Sequence, residues 1–353
     1  MPPRTTGSAP FAVGLTIALV SAATFGSSGT FGRSLMDIGW SPGAIVTARI
    51  TGAALVLLVP ALVALQGRWA LLRRNLPRVA AYGLTAIAGC QLAYFLAVNH
   101  LSVGVALLLE YLAPVLIVGW VWARHGRRPS RLTVAGVVAA VIGLVLVLDV
   151  TSGAQVDMVG VMWGLLAALG LVVFFLLSSH DAHDALPPIT FAGIGLVIGA
   201  LALWLTAATG VLPMTVSGRD VHLAGWSAPW WVAIGELALV AAALAYVTGI
   251  VAARVLGPTV ASFVGLSEVL FAVVFAWVLV GEAMSPVQLL GGAAILAGVV
   301  AVRLGEERRT DDEGDVLRCE ERASKGGAPP HPSIAETGPA GSGDAEHAGL
   351  VQA

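Results

Sequence analysis

"SVGVALLLEYLAPVLIVGWVW", residues 102–122, is long and apolar enough to cross a bilayer, yet it carries one carboxylate, Glu110. A membrane helix needs roughly 20 mostly apolar residues to span about 30 Å of hydrocarbon. An ionisable side chain inside such a span costs roughly 2.5 kcal/mol or more, so it calls for a reason. A second run, "TVASFVGLSEVLFAVVFAWVLV" at 259–280, holds Glu268 in the same way.

The surroundings of both runs are of the same kind. The chain has 353 residues, of which 57% are hydrophobic and only 11% charged, and its mean hydropathy is +0.87. Soluble domains carry about 25% charged residues, so the composition places this chain in a membrane. A net charge of -2 gives no electrostatic footprint for nucleic acid. Cys90 lies in an apolar run and Cys319 in a polar one, which argues against a disulfide framework. The first apolar run begins at Phe11 and is followed at once by others, so it reads as a retained helix rather than a cleaved signal.

Reading between polar breaks predicts an all-α integral membrane protein of ten transmembrane helices. The spans are 11–31, 43–65, 79–98, 103–122, 132–149, 159–179, 189–209, 229–252, 259–280 and 286–303. Cytoplasmic loops retain Lys and Arg. Arg68, Arg73, Arg74, Arg78, Arg124, Arg127, Arg128, Arg131, Arg254, Arg303, Arg308 and Arg309 fall on one side of a ten-span chain, with Arg4. The expected location is therefore the cell membrane (the bacterial inner membrane), multi-pass, with both termini cytoplasmic. Residues 1–10 form a short N-terminus, and 305–353, rich in Pro, Gly and charge, read as a disordered cytoplasmic tail.

The two halves resemble each other. "LAY" occurs at 92–94 and at 244–246, each ahead of a glutamate-bearing span, and Gly136 and Gly143 recur as Gly291 and Gly298. Five spans per copy make the second copy enter from the opposite side, so the expected architecture is two inverted five-helix repeats, 11–149 and 159–304. At 1.5 Å per residue, Glu110 and Glu268 lie about 10 Å and about 13 Å in from their span ends, near the midplane.

The order of motifs resembles the drug/metabolite transporter superfamily, in its ten-helix EamA type. The resemblance covers residues 11–304. It is carried by "TFGSSGTFGR" at 24–33, "SPGAIVTAR" at 41–49, "LAYFLAVNHLSVGVALLLEYLAPV" at 92–115 and "LGPTVASFVGLSEVLFAVVFAWVLVGE" at 256–282. Members often have Glu-Pro where this chain has Glu268-Val269, and the first repeat ends in Ala123-Arg124 rather than Gly-Glu. The resemblance implies a secondary transporter of small metabolites, with amino-acid efflux a common case.

The candidate substrate- or proton-binding residues are Glu110, Glu268, Gln91, Tyr94 and Tyr246. Pro114 cannot donate to the Glu110 carbonyl, which leaves that oxygen free beside the carboxyl group. For Glu268 the resemblance also supports a scaffold role, and for the tyrosines and Gln91 helix–helix hydrogen bonding is the competing reading. Arg49, by the resemblance, is a gate residue or one half of a structural ion pair, with snorkelling as the alternative. Glu236, near a span end, reads as a snorkelling interface residue. Trp40, Trp69 and Trp230 read as an interfacial belt. "HDAHD" at 180–184 reads as a loop rather than a metal site.

No catalytic residue, metal or cofactor is expected. The chain has no HExxH signature, no aspartate-rich diphosphate motif and no Walker A motif. An intramembrane enzyme and a channel are the competing classes, and a facilitated exchanger the alternative to a proton-coupled carrier. The expected partners are a small-molecule solute, protons, the lipid bilayer and, as a homodimer, a second copy of the chain.

Overall fold

The computed structural model describes residues 8–113, 115–116, 130–148, 157–178, 186–256, 258–302 and 304–305. Pro114, the "HDAHD" stretch, Arg124, Arg127 and Arg128, and all of the tail beyond Gly305 lie outside the described residues.

The described chain is a bundle of apolar helices. In order they are α1 (Ser8–Asp37), α2 (Pro42–Leu65), α3 (Trp69–His100), α4 (Val103–Glu110), α5 (Arg131–Val147), α6 (Met158–Ser178), α7 (Pro188–Ala208) and α8 (Trp230–Leu256). Then come α9, in two segments Pro258–Gly265 and Ser267–Val280, and α10 (Pro286–Val302). Among the described residues six are long and apolar enough to cross a membrane: α1 from Phe11, α2, α3, α6, α7 and α8. α5, the second segment of α9, and α10 are shorter apolar helices.

Local chemistry sets several ends. Ser41 caps α2, its Oγ accepting from Ala44 N at 3.3 Å ahead of Pro42, and Ser130 caps α5 through Thr133 N at 3.1 Å. α3 starts nearly three turns of largely exposed, arginine-bearing helix before the expected boundary at 79. Hydrated helix can continue past hydrocarbon because polarity, not helicity, ends at the interface. Among the described residues three stretches are π-helical: Tyr82–Gly89 in α3, Leu239–Leu244 in α8 and Ala276–Val280 in α9.

One element departs from the all-α expectation. Val221–Leu223 and Trp226–Ala228 pair as an antiparallel hairpin, turned by Ala224 and Gly225, whose φ values of 50° and 80° suit a two-residue primed turn. It stands in the polar stretch between α7 and α8, where no hydrocarbon forbids an open sheet edge.

The polarity of the bundle is inverted. Leu55, Val59 and Val63, one turn apart on α2, are 67%, 65% and 70% exposed, as suits a lipid-facing stripe, whereas the largest fully buried side chain is Arg49. α2 packs on α7, α3 on α6, α1 on α8 and α9, and α4 on α6 and α9. α5 and α10 meet through glycines. A Cβ on Gly136 would lie 2.6 Å from the Gly298 carbonyl oxygen, and one on Gly143 would lie 2.6 Å from that of Gly291. Any side chain at these positions would force the backbones apart.

Candidate functional site

Small residues let the site form. Gly26, Ser27, Ser28 and Gly29 thin α1 around its circumference, and neighbouring helices, α8 and α9 among them, close on it. Ser21 Oγ donates to Ala245 O at 3.0 Å, and Gly26 abuts the Glu268 carbonyl. Between α1, α3, α4, α6, α8 and α9 lies a cavity with about 660 Å3 of space between atoms, part of it open to the exterior. Four of the sequence-derived candidates line it: Glu110, Glu268, Gln91 and Tyr246. Cys90, Tyr111, Phe25 and Phe174 join them, none of which the sequence singled out.

Each carboxylate is held by one oxygen. Cys90 Sγ lies 3.3 Å from Glu110 Oε1 and 3.4 Å from Ala167 O. Tyr111 Oη donates within 2.9 Å of both Glu268 Oε2 and Gly265 O. The two glutamates, on facing helices, lie within electrostatic reach of each other.

Arg49 lies behind the cavity's polar wall and reaches it through Gln91. Its guanidinium donates to Ser28 Oγ at 3.0 Å, to the Ala241 carbonyl at 2.5 Å and, over a very short contact, to Gln91 Oε1. It also lies 5.6 Å from the centroid of the Phe95 ring. Its hydrogen-bond partners are all neutral, and Tyr246, Glu236, Tyr94 and Glu268 are its electrostatic neighbours. Ala241 belongs to the π-helical stretch of α8, where the altered ladder exposes main-chain carbonyls to other donors.

Tyr94 is buried, but its hydroxyl sits against Gly29, and it is not among the cavity's lining residues. Glu236 is not a snorkelling residue. It accepts from Ser27 Oγ at 2.6 Å, and its Oε2 is buried without a hydrogen-bond partner. The small face of α1 draws α8 close enough that a glutamate near the span end meets a neighbour instead of headgroups. Trp40 likewise leaves the expected belt: it is buried, stacks at 5.4 Å on Trp230 and donates Nε1 to Ser217 O at 2.8 Å. Trp69 remains exposed.

The cavity is lined from α1 by Ala18, Ser21, Ala22 and Phe25, all in the first two-thirds of that helix. At the end of the bundle where α1 finishes, polar contacts tie α1, α4 and the segment after α9 together. Arg33 Nε lies 3.2 Å from Asp37 and 3.4 Å from Glu282, while Glu282 Oε2 accepts from Val103 N, at the start of α4, at 3.1 Å. Also outside the cavity, His100 Nδ1 lies 2.8 Å from Asp157 Oδ2. That hydrogen bond, with those from the Gly160 and Val159 N–H groups, holds the Asp157 carboxyl below its ordinary pKa.

A profile of the EamA-like transporter family matches residues 12–149 and again 158–304. An uncharacterized inner membrane transporter, YicL, of Salmonella typhimurium is 22% identical over 84% of this chain and 97% of its own length. A probable terminal-alkyne amino-acid exporter of Streptantibioticus cattleyicolor is 27% identical over 68% and 78%. A solved crystal structure, 20% identical, shares the fold with a TM-score of 0.55 over 84% of this chain and 98% of that one. With both matched stretches together covering most of its length, the chain belongs to the EamA-like transporter family.

Proposed function

We propose that this protein carries small metabolites across the cytoplasmic membrane by alternating access, as an exporter of amino acids or related compounds, with protons as the coupling ion. The observation that carries the reading is a partly open, carboxylate-lined cavity that lies away from the bundle end tied together by Arg33 and Glu282.

The reciprocal helix contacts support an inverted repeat of ten spans. If α1–α5 correspond to α6–α10, the α3–α6 contact is the counterpart of α8–α1, and both are present. Gly136 meets Gly298 while Gly143 meets Gly291, the crossed pairing that a two-fold axis between copies requires. Two like halves of opposite orientation give two closures of similar energy, which is what alternating access needs. The expected direction of the basic residues puts both termini in the cytoplasm.

Amino-acid cargo is supported by the printed name of the Streptantibioticus relative. Glu110, 6% exposed and lining the cavity, is the candidate proton carrier. Counterflow in proteoliposomes tests the class: saturable exchange is expected, and unsaturable flux would identify a channel. Glu110→Gln is expected to abolish the pH dependence of exchange. Unchanged pH dependence in that variant would remove the proton role and leave a facilitated exchanger.

A further inference from the structure

The cavity's hydrogen-bonding inventory is one-sided. Among the described residues its lining contains no Arg, Lys or His. Most of its donors are spent on the protein itself: Ser21 on Ala245 O, Tyr111 on Gly265 O and Glu268, Cys90 toward Glu110 and Ala167 O. Gln91 Oε1 is taken by Arg49, and the hydroxyl of the buried Tyr246 completes no hydrogen bond among the described residues. What faces the space is acceptors. Among the described residues, Glu110 Oε2 and Glu268 Oε1 accept no hydrogen bond from the protein.

The remaining wall is aromatic. Phe25 stands edge-to-face with Tyr246, centroids 5.0 Å apart at 89°, and with Phe174, 6.4 Å apart at 85°. Phe174 and Tyr246 are 6.1 Å apart. Rings from three helices thus border a cavity that also holds two carboxylates. Ring faces attract cations, most strongly where water is excluded. The formal charges point the same way. Arg49 can balance only one of Glu110, Glu236 and Glu268, so the other two are neutralised by protons or by a cation from outside the protein.

We infer that the cavity recognises its solute by a primary ammonium group, received by Glu110, Glu268 and Tyr246 Oη beside the Phe25 and Phe174 rings. An ammonium has three N–H donors, and these three acceptors stand on three different helices. The body attached to it is short and apolar, in keeping with Ala18, Ala22, Ala252, Ala253 and Ala261 along the lining. A solute carboxylate finds no charged partner there, so an amino acid is held by its amine and its acid group adds little. This rests on the cavity being the solute site of the proposed transporter.

The test is binding to the full-length chain in lipid nanodiscs, titrated by calorimetry with n-pentylammonium, pentanoate and 1-pentanol, with empty nanodiscs as the blank. Pentylammonium is expected to bind at least tenfold tighter than either of the others. Phe25→Leu, which keeps an apolar side chain but removes the ring, is expected to weaken it about fivefold, and Glu268→Gln by more. If Glu268→Gln lowers the ligand-free melting temperature, Phe25→Leu and Tyr246→Phe carry the comparison. Pentanoate or pentanol binding as tightly as the amine overturns the inference, as does saturation by none of the three. Amine binding without counterflow of any loaded amine or amino acid would sink the transporter reading and leave this one. Amino-acid counterflow with equal binding of pentanoate would do the reverse.

Discussion

Gly136 and Gly298 meet backbone to backbone: a Cβ on either would lie about 2.6 Å or less from the other's carbonyl oxygen. The contact joins α5 to α10, the last helices of the two matched stretches, and leaves no room for a side chain. Gly136→Leu is expected to destabilise the protein by about 3 kcal/mol, the upper end of overpacking costs, or to separate the helices. Gly235→Ala, where a Cβ meets nothing within 4 Å, is the control. Thermal unfolding in detergent compares them.

Arg49 is held by three neutral oxygens and faces Glu236 and Glu268 electrostatically. Arg49→Gln leaves those acceptors short of a donor and the carboxylates short of a cation, at about 3 kcal/mol or more. The double variant Arg49→Gln/Glu236→Gln is expected to recover part of that loss, because it removes one uncompensated charge. A double-mutant cycle on unfolding measures the coupling, and strict additivity would show that the two residues act independently.

The Arg33–Glu282 clasp ties α1 to the segment after α9 at one end of the bundle. Glu282→Gln weakens its hold on Arg33 while still able to accept from Val103 N. A cysteine placed at Thr30, which is fully buried, is then expected to react several-fold faster with a membrane-impermeant maleimide than in the unaltered clasp. Equal rates would mean that the end is closed by packing alone.

Asp157 caps α6 through Val159 N and Gly160 N, at 3.0 and 3.2 Å, and pairs with His100. Its pKa is lowered in the folded protein, so its contribution to stability is complete above the ordinary carboxylate value of about 4 and is lost as pH falls through the lowered one. The melting-temperature difference between wild type and Asp157→Asn is therefore expected to be constant near neutrality and to shrink in acid.

Much of this was readable in the chain. Apolar length located the helices. Glu110, Gln91, Tyr246 and Glu268 stood out as polar groups in apolar company, and they share one cavity. What hydropathy does not encode is azimuth. Whether Glu236 meets lipid headgroups or Ser27 depends on how closely α8 approaches α1, and whether Tyr94 lines the cavity depends on helix rotation. Phe25 and Phe174 were hidden for the opposite reason: an aromatic residue in a membrane span is unremarkable until its neighbours across the bundle are known. The π-helical stretch that offers the Ala241 carbonyl to Arg49 left no sequence signal.

Cys90 turns the molecule into its own reporter. It is the one cysteine among the described residues, and it stands on the cavity wall beside Glu110. With Cys319 replaced by serine, alkylation of this single native thiol becomes a clock for how often the cavity is open to the reagent. Its rate is expected to fall when a solute occupies the space, without any engineered label.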